Sequence, residues 1–185
     1  MRIISGRFKG RVLSSFQADH VRPTMDRVKE TLFNKWMTDV EGARVLDLFA
    51  GTGNLGLESL SRGCAHVDFV ELNVKSIQIL KKNIELLKLR SDEFTIHKHD
   101  VLQYLTKYRG EAFNLILADP PFTEKMAHDV MQAIDSSSCF NADTLIAIES
   151  HKKERMDVAY TNLYRYDFKD YGDKVLSFFA KKAQD

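Results

Sequence analysis

The sequence predicts an α/β fold built on a doubly wound, largely parallel, Rossmann-like sheet, and three observations lead there. From Gly42 onward short apolar runs alternate with stretches of helical periodicity, the first run leads straight into a glycine-rich turn, and the chain ends on two strand-like segments joined by Gly172-Asp173. Strands that alternate with helices pair in parallel, because each right-handed crossover brings the chain back to the same edge. A closing hairpin then adds an antiparallel strand.

Taken in order, residues 2–5 and 11–14 read as two short β segments joined into a hairpin by Gly6-Arg7-Phe8-Lys9-Gly10. After Arg22-Pro23, Thr24 is placed to cap a helix on which Met25, Val28, Leu32, Phe33, Trp36 and Met37 recur at helical spacing, with Asp26 in its first turn. Residues 43–49 form an apolar strand, 53–62 a short helix, and 67–72 a second strand carrying Glu71 near its end. Asn73 caps a helix through residue 89 that keeps Val74, Ile77, Leu80, Ile84 and Leu87 on one face. Residues 94–99 make a third strand, 101–108 a helix, and 113–118 a nearly all-apolar fourth strand of the kind buried on both faces. A helix over 126–134, a fifth strand over 145–149 and a hairpin of 163–171 with 174–180 complete the pattern. Residues 1–40 read as an N-terminal extension and 41–185 as the main domain, with no repeat or low-complexity tract.

A length of 185 residues with 44% hydrophobic content suits one globular core. Cys64 and Cys139 stand far apart without C-x-x-C spacing, so no disulfide framework or zinc site is expected and a reduced, cytoplasmic setting is. The six histidines, His97 and His99 among them, form no ligand pair of metal-site spacing, and no metal is expected. The first residues lack a signal-peptide core, and no apolar run approaches the ~18 residues of a membrane span. Net charge is +1, yet the first 35 residues carry eight Lys and Arg against three Asp and Glu. That asymmetry points an N-terminal surface at a polyanion, with Arg7, Phe8, Lys9, Arg11 and Arg22 as candidate contacts to it.

The chemistry concentrates in three places. Val45-Leu46-Asp47-Leu48-Phe49-Ala50-Gly51-Thr52-Gly53-Asn54-Leu55-Gly56 runs a strand into Gly-x-Gly-x-x-Gly and a helix, the context in which such glycines bind a nucleotide. Glu71 ends the next strand, where a carboxylate accepts ribose hydroxyls. Asp47, ahead of the glycines, would repel a dinucleotide pyrophosphate but suits the ammonium and sulfonium of S-adenosylmethionine. Asp100, after the third strand, is placed to accept from an adenine amino group and equally to cap the following helix, roles that do not exclude each other. Asp119-Pro120-Pro121-Phe122 follows the fourth strand at the same edge; the Asp119 carboxylate and Pro120 carbonyl are acceptors for an exocyclic NH2, and Phe122 is a stacking surface for its base.

With these residues in hand the chain resembles the RsmD family, bacterial methyltransferases that modify a 16S ribosomal RNA guanine at its 2-amino group. The resemblance rests on Arg2-Ile3-Ile4-Ser5-Gly6 with Lys9-Gly10, Arg22-Pro23-Thr24 with Asp26-Arg27-Val28, Leu32-Phe33-Asn34, the glycine loop, Phe69-Val70-Glu71, Asp119 to Phe122, Glu149-Ser150-His151 and Tyr171-Gly172-Asp173. It implies a seven-stranded sheet with the last strand antiparallel, preceded by a small RNA-holding hairpin and helix. By position, Asp47, Gly51, Gly53, Glu71 and Asp100 would line S-adenosylmethionine, flanked by Phe49, Ala50, Leu72 and Val101, while Thr24 and Arg27 would close over its amino-acid end. Asp119, Pro120, Pro121 and Phe122 would be catalytic, and Phe122 departs from the Tyr usual in the family. The implied partner is 16S rRNA in the small subunit or an assembly intermediate, with a monomer and no obligate protein partner expected. An adenine-N6 methyltransferase shares the Asp-Pro-Pro-aromatic chemistry, a nicotinamide oxidoreductase shares the glycine loop, and a non-catalytic RNA-binding assembly factor could share the fold.

Overall fold

The computed structural model describes residues 1–16 and 23–183, the side chains of 23–25 excepted. Among the described residues seven strands and five helices follow the expected order: α1 (Pro23–Lys35), β1 (Arg44–Leu48), α2 (Asn54–Ser61), β2 (His66–Glu71), α3 (Val74–Leu87), β3 (Phe94–Lys98), α4 (Val101–Lys107), β4 (Leu115–Ala118), α5 (Met126–Asp135), β5 (Leu145–His151), β6 (Leu163–Asp170) and β7 (Lys174–Lys181). The strands form one sheet in the order β3-β2-β1-β4-β5-β7-β6. β1 to β5 are parallel, and β7 lies antiparallel between β5 and β6. The chain winds outward in both directions from β1, so β1 and β4 flank the switch point where open α/β sheets bind ligands.

Alternation along the strands splits the core into two layers. Val45, Val67, Phe69, Leu115, Leu117, Ala147 and Phe178 pack with α1, α2, α3 and the N-terminal residues Ile3 and Leu13. Leu46, Leu48, Val70, Ile116, Ile146, Ile148 and Phe179 pack with α4 and α5. β4 is buried along its whole length, as its unbroken apolar run requires.

Several sequence expectations are corrected at element ends. The opening hairpin is narrower than two strands: only Arg2 and Val12 form a β-bridge, with Ile3 N donating to Arg11 O and Leu13 N to Met1 O. Its five-residue connection and small buried face leave little to extend the ladder. The first helix starts at Pro23, so Thr24 lies within its first turn instead of capping it; proline's fixed φ and missing N–H suit a helix start. The candidate contact Arg22 and the side chain of Thr24 lie outside the described residues. Gly53, at φ 92°, precedes α2 instead of opening it, and Lys88, at φ 52°, ends α3 before Leu89. Asn73 does cap α3, accepting from Lys75 N and Ser76 N.

What fixes the N-terminal segment is a buried carboxylate. Glu58 of α2 accepts from Ile4 N at 2.8 Å, Ser5 N at 3.0 Å and the Arg62 guanidinium at 2.8 Å, and Lys29 of α1 reaches it at 3.3 Å. Lys29 is 1% exposed and also donates to Arg2 O at 2.7 Å. Burial pulls the Lys29 ammonium below its ordinary titration range, and Glu58 holds it back. Gly6 closes the contact, since a Cβ there would stand 1.8 Å from Ser61 O. Glu58→Ala is expected to cost about 3–5 kcal/mol, because it strands a buried ammonium and two backbone N–H groups. Urea unfolding measures that loss, and faster proteolysis within residues 5–11 reports release of the hairpin.

Candidate active site

The carboxyl ends of β1, β2 and β4 converge at the switch point. Asp47 of β1 is 2% exposed and accepts from Gly56 N at 2.8 Å. A Cβ at residue 56 would fall 2.3 Å from the Phe69 ring and 2.8 Å from the Asp47 carboxylate, so glycine is what lets α2 approach this strand. Phe49, Gly51 and Gly53 all take left-handed backbone, with φ 59°, 56° and 92°. For Phe49 that conformation is strained, as backbone at ligand sites often is. The loop is held from outside: Ala50 N donates to Val70 O at 3.1 Å, and Thr52 O accepts from Asn83 Nδ2 at 2.9 Å. Ala50 is buried and flanks Gly51, whose missing Cβ leaves open space apart from Phe49 O at 3.9 Å.

Glu71 faces this loop across twenty residues of sequence, Oε2 accepting from Gly51 N at 2.8 Å and Oε1 from Asn73 N at 2.7 Å. Leu72, beside it, is exposed at the same edge. Asp100 caps α4 by accepting from Gln103 N at 3.0 Å, so the structural one of its two predicted roles is realised; Val101 behind it is buried. Asp119 follows β4 and donates its backbone N–H to Leu48 O at 3.4 Å, bringing the Asp-Pro-Pro-Phe turn beside the glycine loop. Pro120 is buried, Pro121 is exposed, and the Phe122 ring is 42% exposed.

The dominant property of this edge is an excess of negative charge, with Asp47, Glu71, Asp119 and Glu149 against Lys174. Burial pushes the Asp47 carboxyl up to about 7, Gly56 N–H opposes the shift, and Asp119 and Glu71 add to it. Asp119 is open to solvent but sits in a concave surface walled by protein, and desolvation there raises it too; Glu149 adds to the rise and Lys174 opposes it. Asn54 at the start of α2 lines the same pocket as Asp119, and its Oδ1 is buried without a hydrogen-bond partner among the described residues. The site is thus built to receive a cation and hydrogen-bond donors.

Other predicted residues sit elsewhere. The hairpin tip packs at the amino edge of the sheet: Arg7 N donates to Ser61 O at the end of α2, its guanidinium pairs with Glu93 just before β3, and it lies over the Phe8 ring at 4.6 Å. Arg7 and Phe8 are therefore at the opposite edge from Asp119, while Lys9 and Arg11 are exposed. Arg27 is exposed in a groove between α1 and the β6–β7 turn, with Tyr171 and Gly172. Sequence reading assigned no role to Asn54, Asn83, Glu149 or Lys174; the last two were legible only as members of matched motifs or strands. No group of three or more His, Cys, Asp and Glu that could hold a metal, and no helix long and apolar enough to cross a membrane, is present among the described residues.

Asp47→Asn separates the cost of this charge from the fold. The Asp47 carboxyl is raised in the folded state, so its stabilising contribution is complete below its unfolded value and is lost as pH rises through about 7. The variant is therefore expected to gain stability over the parent between pH 5 and pH 8, by on the order of 2 kcal/mol. Urea titrations at the two pH values measure the gain, and a pH-independent difference would mean that Asp47 is already ionised at pH 5.

Comparison with known proteins agrees with the fold. The model of the family described as "Conserved hypothetical protein 95" matches residues 1–180. Ribosomal RNA small subunit methyltransferase D of Haemophilus influenzae is 36% identical over 153 residues, 82% of this chain and 79% of its own. The protein of the same name from Escherichia coli K12 is 30% identical over 184 residues, covering 100% of this chain and 91% of its own. The solved structure of the Escherichia coli protein yhhF superposes with a TM-score of 0.87 at 31% identity, covering 100% of this chain and 99% of that one. By family model, sequence and structure alike, this chain belongs to the RsmD family of methyltransferases.

Proposed function

We propose that this protein transfers the methyl group of S-adenosylmethionine to the exocyclic 2-amino group of a guanine in 16S rRNA of the small ribosomal subunit, with S-adenosylhomocysteine as the other product. The observation that carries the reading is the meeting, at one switch point, of an anionic glycine-loop pocket with Asp119-Pro120-Pro121-Phe122. Bound S-adenosylmethionine would supply an electrophilic methyl group on a sulfonium cation. The residues present fit it. Asp47 and its neighbouring carboxylates lose mutual repulsion when a cation enters, the space over Gly51 admits a ligand, and Asn54 Oδ1 is an acceptor in need of a donor.

Glu71 would accept the ribose hydroxyls on lone pairs not engaged by Gly51 and Asn73. Asp100, fixed as a cap, with Val101 and Leu72 would flank the adenine, and Phe49, Ala50 and Gly53 would complete the wall. Thr24 and Arg27 would approach from α1, which requires Arg27 to leave its groove. At the reacting end the Asp119 carboxylate and Pro120 carbonyl accept hydrogen bonds from the amine, which draws its nitrogen lone pair out of conjugation with the base, while Pro121 stiffens the turn and Phe122 stacks on the extracted ring. Positioning does most of this work: the nitrogen lone pair displaces the sulfonium as the S–CH3 bond breaks, the nitrogen becomes acidic only as the methyl arrives, so no strong base has to act first, and water takes the proton that is released.

Residues 1–40 form the RNA-facing extension in this reading, with Lys9 and Arg11, alongside Arg7, Phe8 and Arg22, on backbone remote from the target base. The protein works as a cytoplasmic monomer on the small subunit or its assembly intermediates. Transfer of labelled methyl to small subunits lacking the modification, followed by nucleoside analysis, is expected to give N2-methylguanosine; methylated adenosine would replace the guanine assignment. Asp119→Asn is expected to lower kcat at least a hundredfold while changing cofactor Kd less than threefold, and equal loss of both would remove Asp119 from the amine. Lys9→Ala with Arg11→Ala is expected to reduce the slope of log affinity for RNA against log salt by about 1.4. An unchanged slope would take the hairpin off the RNA.

A further inference from the structure

Three residues beyond the catalytic turn shape its surroundings. In the antiparallel β5–β7 pair His151 stands opposite Lys174 and Glu149 opposite Leu176. Glu149, His151 and Lys174 therefore project from one face of the sheet, at the edge that carries Asp119. The Lys174 ammonium is bonded to the Glu149 carboxylate and lies 4.7 Å from the centre of the Phe122 ring. His151 meets the same ring edge-on at 6.0 Å. Glu149 and Lys174 line one pocket with Asp119. A lysine held by both a carboxylate and an aromatic face has lost the freedom that makes exposed ion pairs weak.

We propose that Lys174, anchored by Glu149, is a positioning residue for methyl transfer: it fixes the Phe122 ring from one face, leaves the other face for the target base, and holds a positive charge beside Asp119. The inference rests on the methyl-transfer reading for the identity of what stacks on Phe122, but not for the charge arrangement. The charged groups facing Asp119 are Asp47 from β1, Glu149 from β5 and Lys174 from β7; Lys29 of α1 lines the pocket with its ammonium committed to Glu58. Asp119 accepts from an amine best when ionised. Glu149 raises its titration and Lys174 lowers it, so removing either charge must move Asp119 in opposite directions.

The test uses the full chain with small subunits as substrate and the pH dependence of kcat/KM as readout, alongside carbon-13 NMR titration of the Asp119 carboxyl without substrate. Lys174→Met is expected to lower kcat at pH 7 about tenfold or more and to move the acid limb and the Asp119 titration to higher pH. Glu149→Gln is expected to move both to lower pH, and Lys174→Arg to restore most of the rate by keeping the cation and its aromatic contact. Rate losses without opposite movements of the limb, or Lys174→Arg as impaired as Lys174→Met, would overturn the proposal. Opposite NMR shifts in the two variants, together with a parent protein that methylates no guanine, would uphold the charge arrangement and reject the guanine reading instead. An Asp119 titration unmoved in both variants, with a parent that does make N2-methylguanosine, would reject the arrangement alone.

Discussion

A carboxylate buried at the end of β1 with a single backbone donor is the constraint on which the rest of this site depends. Asp47 can be there only because residue 56 has no side chain, and α2 can start there only because the loop from Phe49 to Gly53 turns through left-handed backbone. The sheet topology brings Glu71 and Asp119 to the same edge. Each carboxylate raises the cost of ionising Asp47. A fold selected for stability alone would have placed an apolar residue in the first strand, and the energy withheld from folding becomes available when a cation enters.

The same protein shows how a buried charge is treated when it serves structure. Glu58 has four partners from three segments, and Lys29, as deeply buried, has two. That network ties the N-terminal chain and α1 to α2, hence to the glycine loop that α2 continues. Asn83 repeats the tie from α3, bonding both Ser14 and Thr52 O. The N-terminal segment, which has few strand bonds of its own, is thereby built into the wall of the cofactor-side core. Unpaired charge at the switch point and paired charge behind it are complementary: the second holds rigid the loop across which the first acts.

Much of this was legible in the sequence, because the signals that define parallel strands, helix caps and glycine turns are local. β1 to β7 and α2 to α5 fall within about two residues of their predicted ends, and Asp47, Glu71 and Asp119 converge as the strand-end rule requires. What was illegible is carried by partners distant in the chain. Lys29 looks like a solvated helix residue until Glu58, 29 positions on, is brought against it. Glu149 and Lys174 lie 25 positions apart on strands whose register no local pattern sets. Arg7 and Phe8 read as a free basic loop, yet Glu93, 86 residues away, draws Arg7 to the amino edge. The hairpin has no core of its own, so its direction is decided by the surface on which it docks.

Phe122 also takes on meaning in this setting. A tyrosine at that position could be oriented by its hydroxyl, whereas phenylalanine offers only its ring, and an exposed ring on a loop is a poor platform unless something fixes it. Lys174 and His151 are positioned to do so through the ring face and edge. The ammonium that holds the ring also pulls Asp119 toward ionisation against the opposing push of Glu149. In the proposed reaction, orientation of the stacking ring and ionisation of the amine acceptor would therefore be coupled through one side chain, so a change at residue 174 would act on both even with Asp119 to Phe122 intact.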